Sequence, residues 1–394
     1  MNAVVVGGGP AGMMLGLLLA RAGVQVTVLE KHQDFLRDFR GDTVHPSTLE
    51  VLDDLGLSGR FDRLRYRKVT SLNVPLGGDL TPIEAFAGMR VKFPYIAFVP
   101  QWDFLDLLAE EARRHPTFTL HMSTPVTDVV ERAGKIAGVR CADGREFHAD
   151  LVVAADGRDS AVRRAAGMRV DELGAPIDVI WFRLTRHQDD QENLVFQLAR
   201  GRGMVAIDRG DFWQCGYLIG KGGFDAWKAK GIEAFRRDVA QVAPMLADRT
   251  GELSSFESMG FLEVRVNRLR TWHRPGLLCI GDAAHAMSPV GGVGINLAVQ
   301  DAVATANILT RPLLDDSLTD NHLAAVQRRR EWPTRLTQRV QAFLQRQGFD
   351  AKRKDGQLPV LMRFLVTRTG IPRRLAGRFL AFGFRPERVR SVTT

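Results

Sequence analysis

The residues best suited to chemistry in this chain are glycines and carboxylates at fixed spacings. Gly7, Gly9 and Gly12 follow an apolar run at 3–6, and Glu30 closes a second apolar run, 24–29, about 20 residues further on. Glycines so spaced let the N–H groups of a helix start approach a pyrophosphate, and an acid at that distance accepts both hydroxyls of a ribose. Far along the chain comes the stretch Gly281-Asp282-Ala283-Ala284-His285-Ala286-Met287-Ser288-Pro289-Val290-Gly291-Gly292-Val293-Gly294-Ile295-Asn296, which reads as a turn and a helix start after the strand 276–280. Its glycines bring backbone against a flat ligand, Asp282 accepts from hydroxyls, and a helix beginning at about Gly291 favours negative charge. Together these groups suit one extended ligand: a dinucleotide with a polyol and a ring that becomes anionic on reduction. Cys141, Cys215 and Cys279 are widely separated and lack partners at ligand spacing, so neither a disulfide framework nor a metal site is expected.

The elements that must position these groups are legible as α/β. A chain of 394 residues, 45% hydrophobic and 25% charged, has the size and composition of one large or two interleaved soluble domains. Residues 3–6 form a buried strand feeding a helix, and 24–29 a second strand. Arg40 precedes an amphipathic helix, 46–55, stopped by Gly56, with His45 just before its Pro46. Residues 69–99 are strand-like but broken at Pro75, Gly77-Gly78, Pro82 and Pro94; Gln101 then opens a helix over 102–114. A small antiparallel addition at 118–139 precedes another buried strand, 151–154, that runs into the polar turn Asp156-Gly157. From 177 to 265 the chain is rich in strands (177–184, 204–207, 212–219), interrupted by one helix at 232–247. A helix over 291–309 and an Arg-rich helical remainder complete it.

No apolar span of 18 residues occurs and the first residues enter a strand directly, so the expectation is a cytoplasmic protein with no membrane helix. The net charge of +9 is local: residues 328–394 hold 17 Lys/Arg against 4 Asp/Glu. Arginines interleaved there with leucines and phenylalanines make this tail a candidate for peripheral contact with the inner face of an anionic membrane, the competing expectation being that it packs on the first domain. No nucleic-acid partner is expected, and the sequence assigns no oligomeric state.

Three motifs in this order, Gly7-x-Gly9-x-x-Gly12 with Glu30, Asp156-Gly157 with Ser160 and Arg163, and Gly281-Asp282 with Pro289 and residues 291–296, resemble the single-component (class A) FAD-dependent aromatic monooxygenases of the para-hydroxybenzoate hydroxylase fold. The resemblance covers about residues 1–309, and the middle motif is the part that separates this family from other Rossmann-type flavoproteins. It implies a discontinuous Rossmann-type, glutathione-reductase-like FAD-binding domain (1–70, 100–175 and 266–325), an interleaved β-sheet substrate domain (71–99 and 176–265) and a helical C-terminal region (326–394). FAD would lie along Gly7, Gly9, Pro10, Ala11 and Gly12, with Glu30 on the ribose and Lys31 and Val126 among the flanking contacts. Arg40 and Gln101 would follow the pyrophosphate and ribityl chain, Asp282 the ribityl hydroxyls, and Pro289, Gly292, Gly294, Ile295 and Asn296 the flavin ring. Asp156 and Gly157 would support both FAD and the approach of NAD(P)H, the reductant. The implied chemistry is capture of O2 as a flavin C4a-hydroperoxide, in a pocket dry enough to delay loss of peroxide, and hydroxylation of a small apolar aromatic or quinone-like substrate. Tyr217 and His45 are the candidates for deprotonating a phenol. The W-x-W-x-I-P pattern of flavin halogenases is absent. One alternative is a flavin-dependent reductase or dehydrogenase of an apolar isoprenoid or polyketide substrate without oxygen insertion; another is a flavin-carrying interaction protein whose basic tail is the working surface.

Overall fold

Short apolar runs that end in glycine or acid can satisfy their backbones only by pairing with one another, and in the computed structural model four of them do so in parallel. The structure describes residues 1–36, 42–76, 79–84, 86, 89–190, 194–199, 202–348 and 371–390. Asn2–Val6 lies between Gln25–Leu29 and Leu151–Ala154; Phe118–His121 extends the sheet on one side, and Leu277–Cys279 with the antiparallel edge His273–Arg274 on the other. The central strands are buried on both faces, as parallel sheets require. Helix Pro10–Arg21 packs against Gln101–Ala112 and Gly294–Leu314, so the first motif and the last share one layer although some 270 residues separate them. Val126–Arg132, Lys135–Cys141 and Glu146–His148 form a small antiparallel addition, displaced from the expected 118–139 because Phe118–His121 pairs in the parallel sheet instead.

A second, seven-stranded sheet runs in the order Gly260–Leu262, Ile177–Thr185, Phe212–Gly220, Arg202–Asp208, Leu194–Ala199, Ser71–Leu76, Asp79–Glu84. Strand alternation divides its side chains between two faces. Ile180, Phe182, Leu184, Trp213, Cys215, Tyr217 and Ile219 join a core closed by helix Ile232–Val242. Val179, Trp181 and Leu218 take the other face and pack in the same apolar cluster as Val290 of the glycine-rich stretch. That second face is the wall turned toward the first domain.

Two expected helices end or begin elsewhere, and backbone geometry gives the reason. The helix expected over 232–247 stops at Val242, because Ala243 precedes Pro244 and is pushed out of the helical region (φ −130°, ψ 77°). A run of 3-10 turns, Pro244–Glu252, follows. The helix expected from Gly291 begins instead at Gly294, since Gly291 and Gly292 hold φ of +82° and +62°, outside any right-handed helix. In the basic tail, helix Asp320–Gly348 turns Leu323, Val326, Thr334, Thr337, Gln338, Gln341 and Gln345 into the protein, and Arg328, Trp332, Arg335 and Arg339 out. Among the described residues no helix is long and apolar enough to cross a membrane.

Candidate functional site

At the end of the first strand the chain turns through Gly7 (φ +104°), where a Cβ would stand 2.4 Å from the Ala155 carbonyl oxygen. A Cβ on Gly12 would lie 1.9 Å from the Gly7 oxygen, so the turn closes only with glycine at both positions. Gly9, the N-cap of helix Pro10–Arg21, is different: a Cβ there would meet nothing within 4 Å. Open space lies over a helix start whose first N–H groups no side chain caps, an arrangement that receives an anion. Glu30, buried at the end of its strand, accepts from Gly8 N–H at 2.8 Å and His32 N–H at 3.0 Å. Lys31 is exposed beside it, and Thr124 N–H donates to the Glu30 carbonyl at 2.8 Å, bringing the chain toward Val126 alongside. Arg40 lies outside the described residues.

The other two motifs meet this one directly. A Cβ on Gly281 would touch the Ala11 Cβ at 3.1 Å, which seats the Gly281–Ala283 turn on the first helix and leaves Asp282 half exposed beside it. Arg158 stands 3.6 Å from the Asp282 carboxylate. Asp156 accepts from Ala161 and Val162 N–H at 2.8 and 3.3 Å, while its second oxygen is buried with no partner; burial raises its pKa above the ordinary value. Gly157, at φ +85°, makes the turn that Ser160 then caps by accepting from Arg163 N–H at 2.9 Å. The Arg163 side chain donates to the Ala283 carbonyl at 3.0 Å and the Arg158 carbonyl at 2.7 Å. This arginine fastens the Asp156 turn to the Asp282 turn.

Beyond Asp282, the loop 286–292 is held from two sides. Gly292 presents its carbonyl to Thr43 Oγ1 at 2.6 Å and to His45 Nε2 at 3.1 Å, and a Cβ there would collide with Thr43 Oγ1 at 2.5 Å. From below, three glutamines of helix Asp320–Gly348 reach up. Gln338 donates to the Asn267 and Ala286 carbonyls at 2.9 and 3.1 Å, Gln341 to the Ser288 and Val290 carbonyls at 3.0 and 2.8 Å, and Gln345 to Ser288 Oγ at 2.5 Å. Pro289 sits half-buried within that span. Helix Gly294–Leu314 then starts at Gly294 and Ile295 with no capping side chain and no acid in its first turn. Asn296 turns inward and accepts from Ser47 and Thr48 hydroxyls at 2.5 and 2.9 Å, so its side chain locks two helices together. Deeper still, Asp301 accepts from His285 Nε2 at 2.6 Å, Arg330 Nε at 2.9 Å and Gly281 N–H at 3.0 Å, all within the core.

Neither candidate base is free for such work. Tyr217 is fully buried on the helix-covered face of the second sheet, away from Val290, and its hydroxyl donates to Asp238, which also pairs with Arg202. Burial pushes the Asp238 carboxyl up to about 6. Strand alternation, which aromatic content alone does not reveal, therefore corrects the choice of Tyr217. His45 is buried between two carbonyls, Leu380 at 2.7 Å from Nδ1 and Gly292 at 3.1 Å from Nε2. Burial pushes this imidazole below its ordinary value, outweighing the two carbonyls that favour protonation. It is a clasp between the loop and helix Ile371–Phe382, with both ring nitrogens turned to protein carbonyls. Gln101 opens its helix half-buried, and its backbone N–H donates to Asp42. Arg209, from the second sheet, pairs with that same carboxylate and bonds Gln214 at 2.9 Å, tying the sheet to the first domain. Burial raises Asp42 to about 6 against the pull of Arg209.

His285, Asp301, Arg330 and the three glutamines escaped the sequence reading because they form no contiguous motif. A signal was present in the spacing 338, 341, 345, a polar residue recurring at helical period in a helix read only for its arginines. The uncapped helix starts at Pro10 and Gly294, the open space over Gly9, and the acids Glu30 and Asp282 fit FAD along its length.

A parallel-sheet nucleotide domain with an interleaved, mostly antiparallel sheet over its glycine-rich loop defines the class: a flavoprotein monooxygenase of the para-hydroxybenzoate hydroxylase fold. The chain belongs to the family described as FAD binding domain, which matches residues 1–340. It is 34% identical to 6-methylpretetramide 4-monooxygenase of Streptomyces rimosus, over 98% of this chain and 93% of that one. Among solved structures, PqsL of P. aeruginosa in complex with 2-aminobenzoylacetate matches with a TM-score of 0.78 at 22% identity, covering 89% of this chain and 97% of that one. OxyS anhydrotetracycline hydroxylase of Streptomyces rimosus matches with a TM-score of 0.76 at 23% identity, over 96% and 75% of the two chains. The protein is an FAD-dependent monooxygenase, and NAD(P)H and O2 are its co-substrates.

Proposed function

We propose that this monooxygenase hydroxylates an oxygen-bearing polycyclic aromatic substrate held between the second sheet and the loop 286–292. The observation that carries the substrate class is the 34% identity, over nearly the full length of both chains, to a relative whose name specifies 6-methylpretetramide. In this reading residues 1–70, 100–175 and 266–325 bind FAD, 71–99 and 176–265 bind substrate, and 326–394 form the C-terminal region whose Gln338, Gln341 and Gln345 brace the loop. Gly7, Gly9, Pro10, Ala11 and Gly12 would receive the pyrophosphate, with Glu30 on the ribose and Asp282 on the ribityl hydroxyls. The N–H groups of Gly294 and Ile295 would face the ring, where a helix start stabilises the negative charge that reduction brings. FAD, when bound, accepts a hydride from NAD(P)H and activates O2. The protein's own part is to hold that ring, exclude water and orient the aromatic carbon that is attacked. Val179, Leu218 and Val290 supply the apolar wall that keeps the cleft dry.

Anaerobic reduction with NAD(P)H, followed by mixing with 18O2 and a panel of phenols, quinolones and polycyclic quinones, tests the proposal. The expected result is 18O in the product of a polycyclic member. Reduction and reoxidation with no oxygen incorporated into any compound would overturn it in favour of the reductase. Asp282→Ala should weaken FAD retention under the same conditions. A second reading concerns location: Arg328, Arg335 and Arg339 flank the exposed Trp332 on the outer face of the C-terminal helix, which supports peripheral contact with an anionic membrane. Cosedimentation no greater with anionic than with neutral vesicles refutes it.

A further inference from the structure

The wall of the second sheet that faces the loop carries one unanswered donor. Trp181 lies on strand Ile177–Thr185 directly opposite Gly216, in the register that also pairs Arg183 with Gln214. A Cβ on Gly216 would stand 2.9 and 3.0 Å from two atoms of the six-membered ring of Trp181, and 3.0 Å from Val205. Glycine at 216 is therefore what lets the six-membered ring of the indole sit over the neighbouring strand. The ring packs in the cluster that contains Leu218 and Val290, and it stays only partly covered. Its Nε1, by contrast, is buried and has no acceptor among the described residues. A buried N–H without a partner forfeits the hydrogen bond it makes to water in the unfolded chain, and indole nitrogens in protein interiors find partners. The other tryptophan with a buried, unpartnered Nε1, Trp272, is fully enclosed in the flavin-domain core and packs at a tilt against His285, so no ligand reaches it.

We propose that Trp181 is a specificity-determining residue whose indole N–H donates to a carbonyl or phenolate oxygen of the aromatic substrate, while its ring face stacks on a neighbouring ring. This rests on the reading that the substrate occupies the cleft between sheet and loop. It adds that the substrate's rings are coplanar and that its oxygen stands at a ring edge within reach of the Trp181 Nε1. A site built around a donor discriminates against a ligand lacking the acceptor, because the donor is then left buried and unpaired. The indole over Gly216 also gives a reason for a glycine in the middle of a strand, where it otherwise weakens the sheet.

The test measures binding to the FAD-loaded protein by perturbation of ligand and flavin absorbance, with 1,8-dihydroxyanthraquinone as probe and anthracene as the oxygen-free control. Trp181→Phe keeps an aromatic face and removes the N–H. It should weaken 1,8-dihydroxyanthraquinone binding about 10-fold, the equivalent of one hydrogen bond, and anthracene binding far less. Because the two ligands are compared within one variant, a partial loss of folded protein leaves the ratio unchanged. Gly216→Ala should weaken both ligands by lifting the indole, and this penalty should shrink in the Trp181→Phe background. Equal losses for both ligands, no loss for either, or failure of the FAD-loaded wild type to bind the probe would each overturn the proposal. Absence of FAD uptake or of oxygen incorporation would instead sink the underlying reading of function, so the two failures are distinguishable.

Discussion

Asp301→Ala is the substitution whose consequence the structure specifies most closely. The carboxylate is the junction of a fully buried set: His285 Nε2 at 2.6 Å, Arg330 Nε at 2.9 Å and the Gly281 N–H at 3.0 Å. Burial works to raise its pKa, but His285 and Arg330 outweigh it and hold the carboxyl below its ordinary value. Removing it leaves the Arg330 guanidinium in the core with the Arg385 carbonyl at 3.3 Å and Glu387 at 3.5 Å as its remaining partners. Breaking a buried pair from one side costs about 3–5 kcal/mol, most of it for the charge left behind. With a urea slope of about 3 kcal/mol per M, the midpoint of the apoprotein falls by about 1–1.7 M, read by circular dichroism. The Gly281 N–H loses its acceptor in the same step. Flavin fluorescence should therefore report release of FAD at lower urea than unfolding, because the turn carrying Asp282 loosens first. A carboxyl depressed in the native state stabilises above its ordinary value of 3.8, and that contribution is lost as pH falls through the folded value. The gap between wild type and variant should accordingly close in strong acid. A midpoint shift corresponding to less than about 1 kcal/mol at neutral pH refutes the reasoning, since it means the network carries no net stabilisation.

Gly12→Ala places a methyl 1.9 Å from the Gly7 oxygen; overpacking of about 1–3 kcal/mol at the nucleotide turn should cost about 10–100-fold in FAD affinity, read by ultrafiltration of the yellow protein. His45 has a lowered pKa, so the unfolded chain binds its proton first as pH falls below about 6.5, and stability drops by at most about 1.4 kcal/mol per pH unit from there. His45→Gln should flatten that slope between about pH 6.5 and 5, and an unchanged slope by urea titration counts against a clasp of neutral imidazole. Gln341→Ala removes both donors to the Ser288 and Val290 carbonyls; a loss of about 1–3 kcal/mol together with a shifted flavin absorption spectrum is expected, and a loss with the spectrum unmoved would confine the glutamine to packing.

The sequence by itself determined the nucleotide domain. Gly7, Gly9, Gly12 and Glu30 are local requirements of one turn and one strand end, and a collision of 1.9 Å behind Gly12 shows why no other residue is admitted. The same holds for Asp156, Gly157, Gly281 and Asp282, whose turns need positive φ or a cap within a few residues. Periodicity also located the strands of the second sheet, but not which of their faces looks at the loop. Tyr217 and Trp181 are aromatic residues on adjacent strands of one sheet, and only the register pairing Ile180 with Tyr217 and Trp181 with Gly216 sends one to the helix-covered core and the other to the apolar cluster that contains Val290. The buried polar set was out of reach for a related reason. Gly281, His285 and Asp301 lie near one another in sequence, whereas Arg330 and Gln341 come from a helix whose composition suggests a solvated surface. Long-range packing decides which side of such a helix faces inward, and here it exchanged hydration of a few polar side chains for hydrogen bonds to the carbonyls of the loop 286–292.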